Sequence, residues 1–154
     1  AVLFRWGMEA GGTACDAPVH VRQALGDAGD ALGRAFQLTD DVLDLRSTPQ
    51  TLGKNTMADL REGKLTWPLI VACQRDPGLV DVLRSAGQMP ERLENDARFA
   101  QLRERILATG TLEASQAEAT GAARTALDRL STLPQGPVRE ALCAVVHAAI
   151  ARVS

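Results

Sequence analysis

Phe36-Gln37-Leu38-Thr39-Asp40-Asp41-Val42-Leu43-Asp44 sets three carboxylates within two turns of any helix that contains it. Asp40 and Asp44 are one turn apart, and Asp41 is displaced by one residue. Gln37 extends the same stripe by a further turn, while Phe36, Thr39 and Leu43 fall on a different face. Working outward, Val21, Leu25, Ala28, Leu32, Ala35, Phe36, Thr39, Val42 and Leu43 recur at helical spacing. They predict one long helix from Val19 to about Leu45. Ser47-Thr48-Pro49-Gln50 ends it, because proline lacks a donor and restricts the residue before it.

The rest of the chain reads the same way. Leu3, Met8 and their neighbours read as the end of a truncated helix stopped by Gly11-Gly12, and Asp16 with Pro18 marks the start of the long one. After the break come one turn at Met57 to Arg61 and a helix capped by Thr66 with Pro68 in its first turn. Further helices are predicted near Leu79 to Ala86, Asp96 to Ala108, Leu112 to Leu130 and Pro137 to Val153. No alternating run of β-branched residues persists, and no repeat or low-complexity linker interrupts the pattern. The fold class is all-α, with residues 1–154 forming one domain or part of one. Ala1-Val-Leu-Phe-Arg-Trp-Gly-Met opens inside an apolar pattern without a cap. That suggests numbering which begins part-way through a longer protein.

Composition narrows the function. The 154 residues are 45% hydrophobic and 23% charged with a net charge of −2, which offers no basic field for nucleic acid or for an anionic membrane. No apolar run reaches the roughly 20 residues that span a bilayer. Cys15, Cys73 and Cys143 lack metal-ligand spacing and read as small buried residues in a reducing cytoplasm. His20 and His147 are isolated and read as surface or cap residues, and Trp67 as a core residue. Arg92, Arg98, Arg103 and Arg105 alternate with Glu91, Glu94, Asp96 and Glu104, as on a solvated helix surface with i,i+4 pairs.

The carboxylate cluster disfavours an isolated helix but suits Mg²⁺, a hard cation that prefers carboxylate, phosphate and water oxygens. Alone, it also fits a solvated acidic face. Its neighbours change the balance. Fifteen of the 17 basic residues are arginine, and both lysines, Lys54 and Lys64, follow shortly after the aspartates. A lysine is a compact point charge suited to phosphate. Gly53 and Gly63 precede the two lysines and permit sharp turns or close backbone approach, and Asp59 adds a fourth carboxylate. Together these residues read as a magnesium–diphosphate site.

With those residues in order, the stretch from Gly33 to Ile70 resembles the second aspartate-rich region of bacterial trans-prenyltransferases, the polyprenyl diphosphate synthases. The landmarks are Phe36-Gln37 before Asp40-Asp41 and Asp44, then Gly53-Lys54, then Asp59 with Gly63-Lys64-Leu65-Thr66-Trp67-Pro68-Leu69-Ile70. The resemblance implies part of an isoprenoid-synthase-type helical bundle around a central cavity. It implies Mg²⁺ held through Asp40, Asp44 and Asp41, with Asp59 holding metal-bound water. Lys54 and Lys64 would contact diphosphate oxygens, Gln37 would line the cavity beside the reacting centre, and Phe36 would pack in the core or border the prenyl cavity.

The implied reaction is 1′–4 condensation of isopentenyl diphosphate with an allylic prenyl diphosphate, in a protein that is commonly a homodimer. The family also needs a first DDxxD motif upstream, and no second DDxxD stands in this sequence. The expectation is therefore a C-terminal portion that is inactive alone and exposes apolar surface. The alternative is a non-catalytic partner that modulates a complete synthase. The mixed second metal site of terpene cyclases is not found.

Overall fold

Small side chains let helices approach closely, and the long aspartate-bearing helix carries several of them. The computed structural model describes residues 1–46, 58–88 and 96–152, and every regular element in them is an α-helix. In chain order these are α1 (Val2–Ala14), α2 (Val19–Arg46), α3 (Ala58–Arg61), α4 (Trp67–Arg75), α5 (Gly78–Gln88), α6 (Asp96–Ala108), α7 (Thr111–Ser131) and α8 (Pro137–Ala151). The boundaries follow the hydrophobic period within a few residues. The predicted break at Ser47 to Gln50 lies outside the described residues. Two compact units result, Ala1–Thr39 with Ala117–Ser154, and Asp40–Gln116.

The first unit packs α1, α2, α7 and α8. Ala28, Ala31 and Ala35 of α2 and Ala122, Ala123 and Ala126 of α7 are buried in one core, with Leu32, Leu130 and Val146 filling the space beside them. Glycines on α2 admit α1: a Cβ at Gly29 would lie 2.7 Å from the Phe4 carbonyl oxygen and 2.8 Å from the Arg5 backbone. Arg5 then bonds Asp30 at 2.6 Å and Glu9 at 2.8 Å.

Gly11-Gly12 does not stop α1, which runs through both glycines to Ala14. A helical glycine costs about 1 kcal/mol relative to alanine. Gly12, however, is buried where a Cβ would meet the Leu25 side chain at 2.9 Å, so tertiary packing overrides the local preference. The chain turns instead at Asp16, with φ of 51°.

The second unit holds the described residues around the aspartates. Leu45, Leu60, Leu69, Ala72, Leu79, Phe99, Leu102 and Ile106 form its core. Arginine ties its helix ends together. Arg103 donates to the Leu45 and Arg46 carbonyls at the C-terminus of α2, where a cation also complements the helix dipole. Arg75 bonds the Thr109 and Gly110 carbonyls, and Arg105 grips Asp76 through two bonds of 2.7 and 2.9 Å.

Three expectations are therefore corrected. Arg103 and Arg105 make long-range contacts rather than i,i+4 surface pairs. Trp67 is 40% exposed, because it opens α4 at the helix end rather than on its packed face. Cys15 is exposed, lying in the turn after α1. Both histidines are exposed, as expected.

Candidate metal and diphosphate site

Helix geometry separates neighbouring residues by about 100°, so Asp40 and Asp44 share a face that Asp41 leaves. The burial pattern agrees. Asp41 is only 6% exposed, whereas Asp40 and Asp44 are half-buried. Beside them Val42 and Thr39 are fully buried.

Two of the three aspartates receive backbone donors from further along the chain. Asp44 accepts the Ala58 N–H at 2.9 Å through one oxygen and the Asp59 N–H at 3.3 Å through the other. These are first-turn donors of α3, which a carboxylate satisfies well. Asp41 accepts the Trp67 N–H, the first of α4, at 3.3 Å. Thr66 sits at the N-cap of α4 as expected, but its hydroxyl makes no cap bond.

The single turn of α3 is anchored by Leu60 in the core and by Arg61, whose guanidinium lies 4.1 Å from the centre of the Phe99 ring. It closes in a Schellman arrangement: the Gly63 N–H reaches the Leu60 carbonyl and the Lys64 N–H reaches the Asp59 carbonyl. Gly63 adopts φ of 72°, which only glycine accepts readily. That turn folds Lys64 back over Asp59, and the ammonium bonds Glu62 at 2.7 Å and Asp59 at 3.0 Å.

The electrostatics follow from this geometry. Burial pushes the Asp44 carboxyl above its usual range, against the lowering effect of the Ala58 and Asp59 amides. The charges of Asp59 and Asp41 push it further upward. Lys64 is held above the ordinary lysine range, first by Glu62 and then by Asp59.

The fold thus brings Asp40, Asp41, Asp44, Asp59 and Lys64 into one unit. Among the described residues no group of three or more His, Cys, Asp or Glu side chains could hold a metal ion by itself. Mg²⁺ does not require such a cage, since it commonly uses one or two carboxylates with waters and substrate phosphates. Asp40 and Asp44 fit that role, as hard oxygen donors one turn apart. The crowded charge on Asp44 is one that a cation would relieve. Asp41 fits less well, because it is only 6% exposed where Asp40 and Asp44 are half-buried.

Lys54 lies outside the described residues. Gln37 is exposed on α2, within the first unit. Phe36 packs at the core of that unit, its ring 5.5 Å from that of Phe4 and beneath Arg152. Thr111 was not anticipated. It is fully buried at the start of α7 and donates its hydroxyl to the Pro68 carbonyl at 2.5 Å, holding the first turn of α4. A threonine directly after a glycine and before a helical period was the available signal. No helix of the described residues is long and apolar enough to cross a membrane.

Comparison with known proteins adds an independent line. Residues 1–105 match the sequence profile of the family described as polyprenyl synthetase. Octaprenyl diphosphate synthase of Escherichia coli strain K12 is 35% identical over 153 residues, covering 99% of this chain and 46% of that protein. Heptaprenyl diphosphate synthase component 2 of Bacillus subtilis is 32% identical, over 94% of this chain and 40% of its own length. The chain thus spans about half the length of the curated relatives it matches. Among solved structures, polyprenyl synthase of Caulobacter crescentus, complexed with calcium and isoprenyl diphosphate, superposes with a TM-score of 0.82. Its sequence is 37% identical, over 99% of this chain and 46% of that one.

Proposed function

The chain belongs to the polyprenyl synthetase family, and from that premise we propose that it supplies the allylic-diphosphate and Mg²⁺ site of a polyprenyl diphosphate synthase. The reaction is head-to-tail 1′–4 condensation of isopentenyl diphosphate with an allylic prenyl diphosphate. The observation that carries the reading is the pair of amide bonds from Ala58 and Asp59 to Asp44. Through them the Asp59-to-Lys64 turn and the aspartate helix become one knot of acidic and basic groups.

In this reading Asp40 and Asp44 present hard oxygens to the cation. Mg²⁺, when bound, supplies the charge neutralisation that lets diphosphate depart. Lys64 exchanges its carboxylate partners for a diphosphate oxygen, a change open to a mobile ammonium that is 58% exposed. Asp59 orients that ammonium and would hold water on the cation when it is bound. Lys54 is proposed as a second diphosphate contact. Gln37 and Phe36 keep the roles that the resemblance implies. The compartment proposed is the cytoplasm.

Homodimerisation is proposed for the whole protein. A second reading has one observation in its favour: the Bacillus subtilis relative is named as component 2 of its synthase. On that reading the chain acts beside a different subunit.

The deciding experiment assays the protein expressed from its complete reading frame with radiolabelled isopentenyl diphosphate, allylic primers and Mg²⁺. Mg²⁺-dependent elongation lost in Asp40→Ala is the expected result. Elongation that survives the substitution overturns the assignment of Asp40. Absence of elongation with every primer favours the subunit reading.

A further inference from the structure

The second aspartate of the motif is the most buried of the three. Asp41 is 6% exposed, and its carboxylate accepts the Trp67 N–H across 26 residues of sequence. Helix α4 needs such a partner. Its N-cap, Thr66, contributes no side-chain bond, and Pro68 has no N–H, so Trp67 and Leu69 carry the first-turn donors. The same turn is also held by Thr111, which donates to the Pro68 carbonyl. The first turn of α4 is therefore gripped by two buried side chains from two other helices. That turn ends the loop that begins at Lys64. Fixing Trp67 thus limits where Lys64 can sit relative to the aspartates of α2.

We infer that Asp41 is a positioning residue, a long-range N-cap of α4 that holds the Lys64 loop in register with Asp40 and Asp44, rather than a ligand of the metal. The inference rests on the reading of those residues as a metal–diphosphate site, and it removes one carboxylate from the ligand set. Chemistry separates the two roles. A cap needs only a neutral oxygen acceptor, so asparagine serves nearly as well as aspartate. A Mg²⁺ ligand needs the anion.

The test compares Asp41→Asn, Asp41→Ala and Asp40→Asn in the protein from the complete reading frame. Mn²⁺ affinity is read by electron paramagnetic resonance in the presence of an allylic diphosphate. Amide exchange is followed in peptides covering residues 64–72. Asp41→Asn should keep Mn²⁺ affinity within about threefold of the parent. Its exchange should remain protected, and kcat and KM for the allylic substrate should be retained. Asp41→Ala should speed exchange in that segment roughly tenfold and raise KM, as loss of a cap implies.

Asp41→Asn that loses Mn²⁺ affinity as fully as Asp40→Asn would make Asp41 a ligand and overturn the inference. Unchanged exchange in Asp41→Ala would do the same. If Asp40→Asn leaves Mn²⁺ affinity unaltered, the metal reading of the site fails. The exchange contrast between asparagine and alanine still decides the cap.

Discussion

Asp44 holds the amide of Asp59 at 3.3 Å while the Asp59 side chain repels it, so one residue is both its hydrogen-bond donor and its electrostatic opponent. The Ala58 and Asp59 amides hold the α3 end in place, whereas burial and two neighbouring charges disfavour the ionised carboxylate. A group raised in this way withholds stability above its own titration and restores it as the pH falls through it. Asp44→Asn removes the charge but offers one oxygen acceptor where two are used, so either the Ala58 or the Asp59 N–H is left facing an amide NH₂. That loss is independent of pH, whereas the parent alone loses stability as the pH rises through Asp44. In metal-free buffer the stability of the variant relative to the parent should therefore rise from acid to neutral pH, by no more than about 1 kcal/mol after solvent screening of a half-exposed group. Urea melts across the pH range check this, and a relative stability that falls with rising pH would contradict it.

Lys64 should act on substrate more than on folding. Its partners are exposed or half-exposed carboxylates, and exposed ion pairs contribute little to stability. Lys64→Met is expected to leave the thermal midpoint nearly unchanged. It should lower kcat/KM for the allylic diphosphate by roughly 10- to 100-fold, the range for losing a charged contact. Steady-state kinetics beside a thermal melt read both, and a stability loss matching the kinetic one would assign Lys64 a structural role.

Two glycines in helices should respond with opposite sign to the same substitution. At Gly29 the new Cβ meets backbone atoms of Phe4 and Arg5, which cannot swing aside, and Gly29→Ala should cost about 1–3 kcal/mol. At Gly121, exposed on α7, the Cβ meets nothing within 4 Å. Gly121→Ala should stabilise by up to about 1 kcal/mol through helix propensity. Denaturant midpoints with unchanged slopes would establish both signs.

Asp76 gives the second unit an acid-sensitive clasp. Arg105, bonded through both Asp76 oxygens, holds that carboxyl below its usual range, and the Gly78 amide adds to the effect. A depressed carboxylate contributes stability above its unfolded pKa, lost as the pH falls through the folded one. Arg105→Ala should therefore shift acid unfolding, followed by circular dichroism, to higher pH. An unchanged acid midpoint would show that the pair contributes nothing.

Much of the molecule was legible in residue order, because helices are specified locally. Apolar period, Pro68 near a helix start and Pro137 at another set boundaries that hold within a few residues. The hard-cation and phosphate chemistry proposed for the aspartates, glycines and lysines likewise rests on residue type and spacing, without reference to distant partners. Local rules failed where distant atoms decided. Gly12 stays helical where Leu25 packs against it, and Arg103 and Arg105 leave their own helix surface for Arg46 and Asp76.

The sequence by itself determined an all-α chain with an acidic stripe, and a lysine returned by a glycine turn. Only the tertiary structure divided that stripe, burying Asp41 against α4, bonding Asp44 to α3 and leaving Asp40 half-buried. The reason is physical. A carboxylate takes its role from the donors that reach it, and here those donors arrive from 14 to 26 residues away, beyond what any helical period encodes.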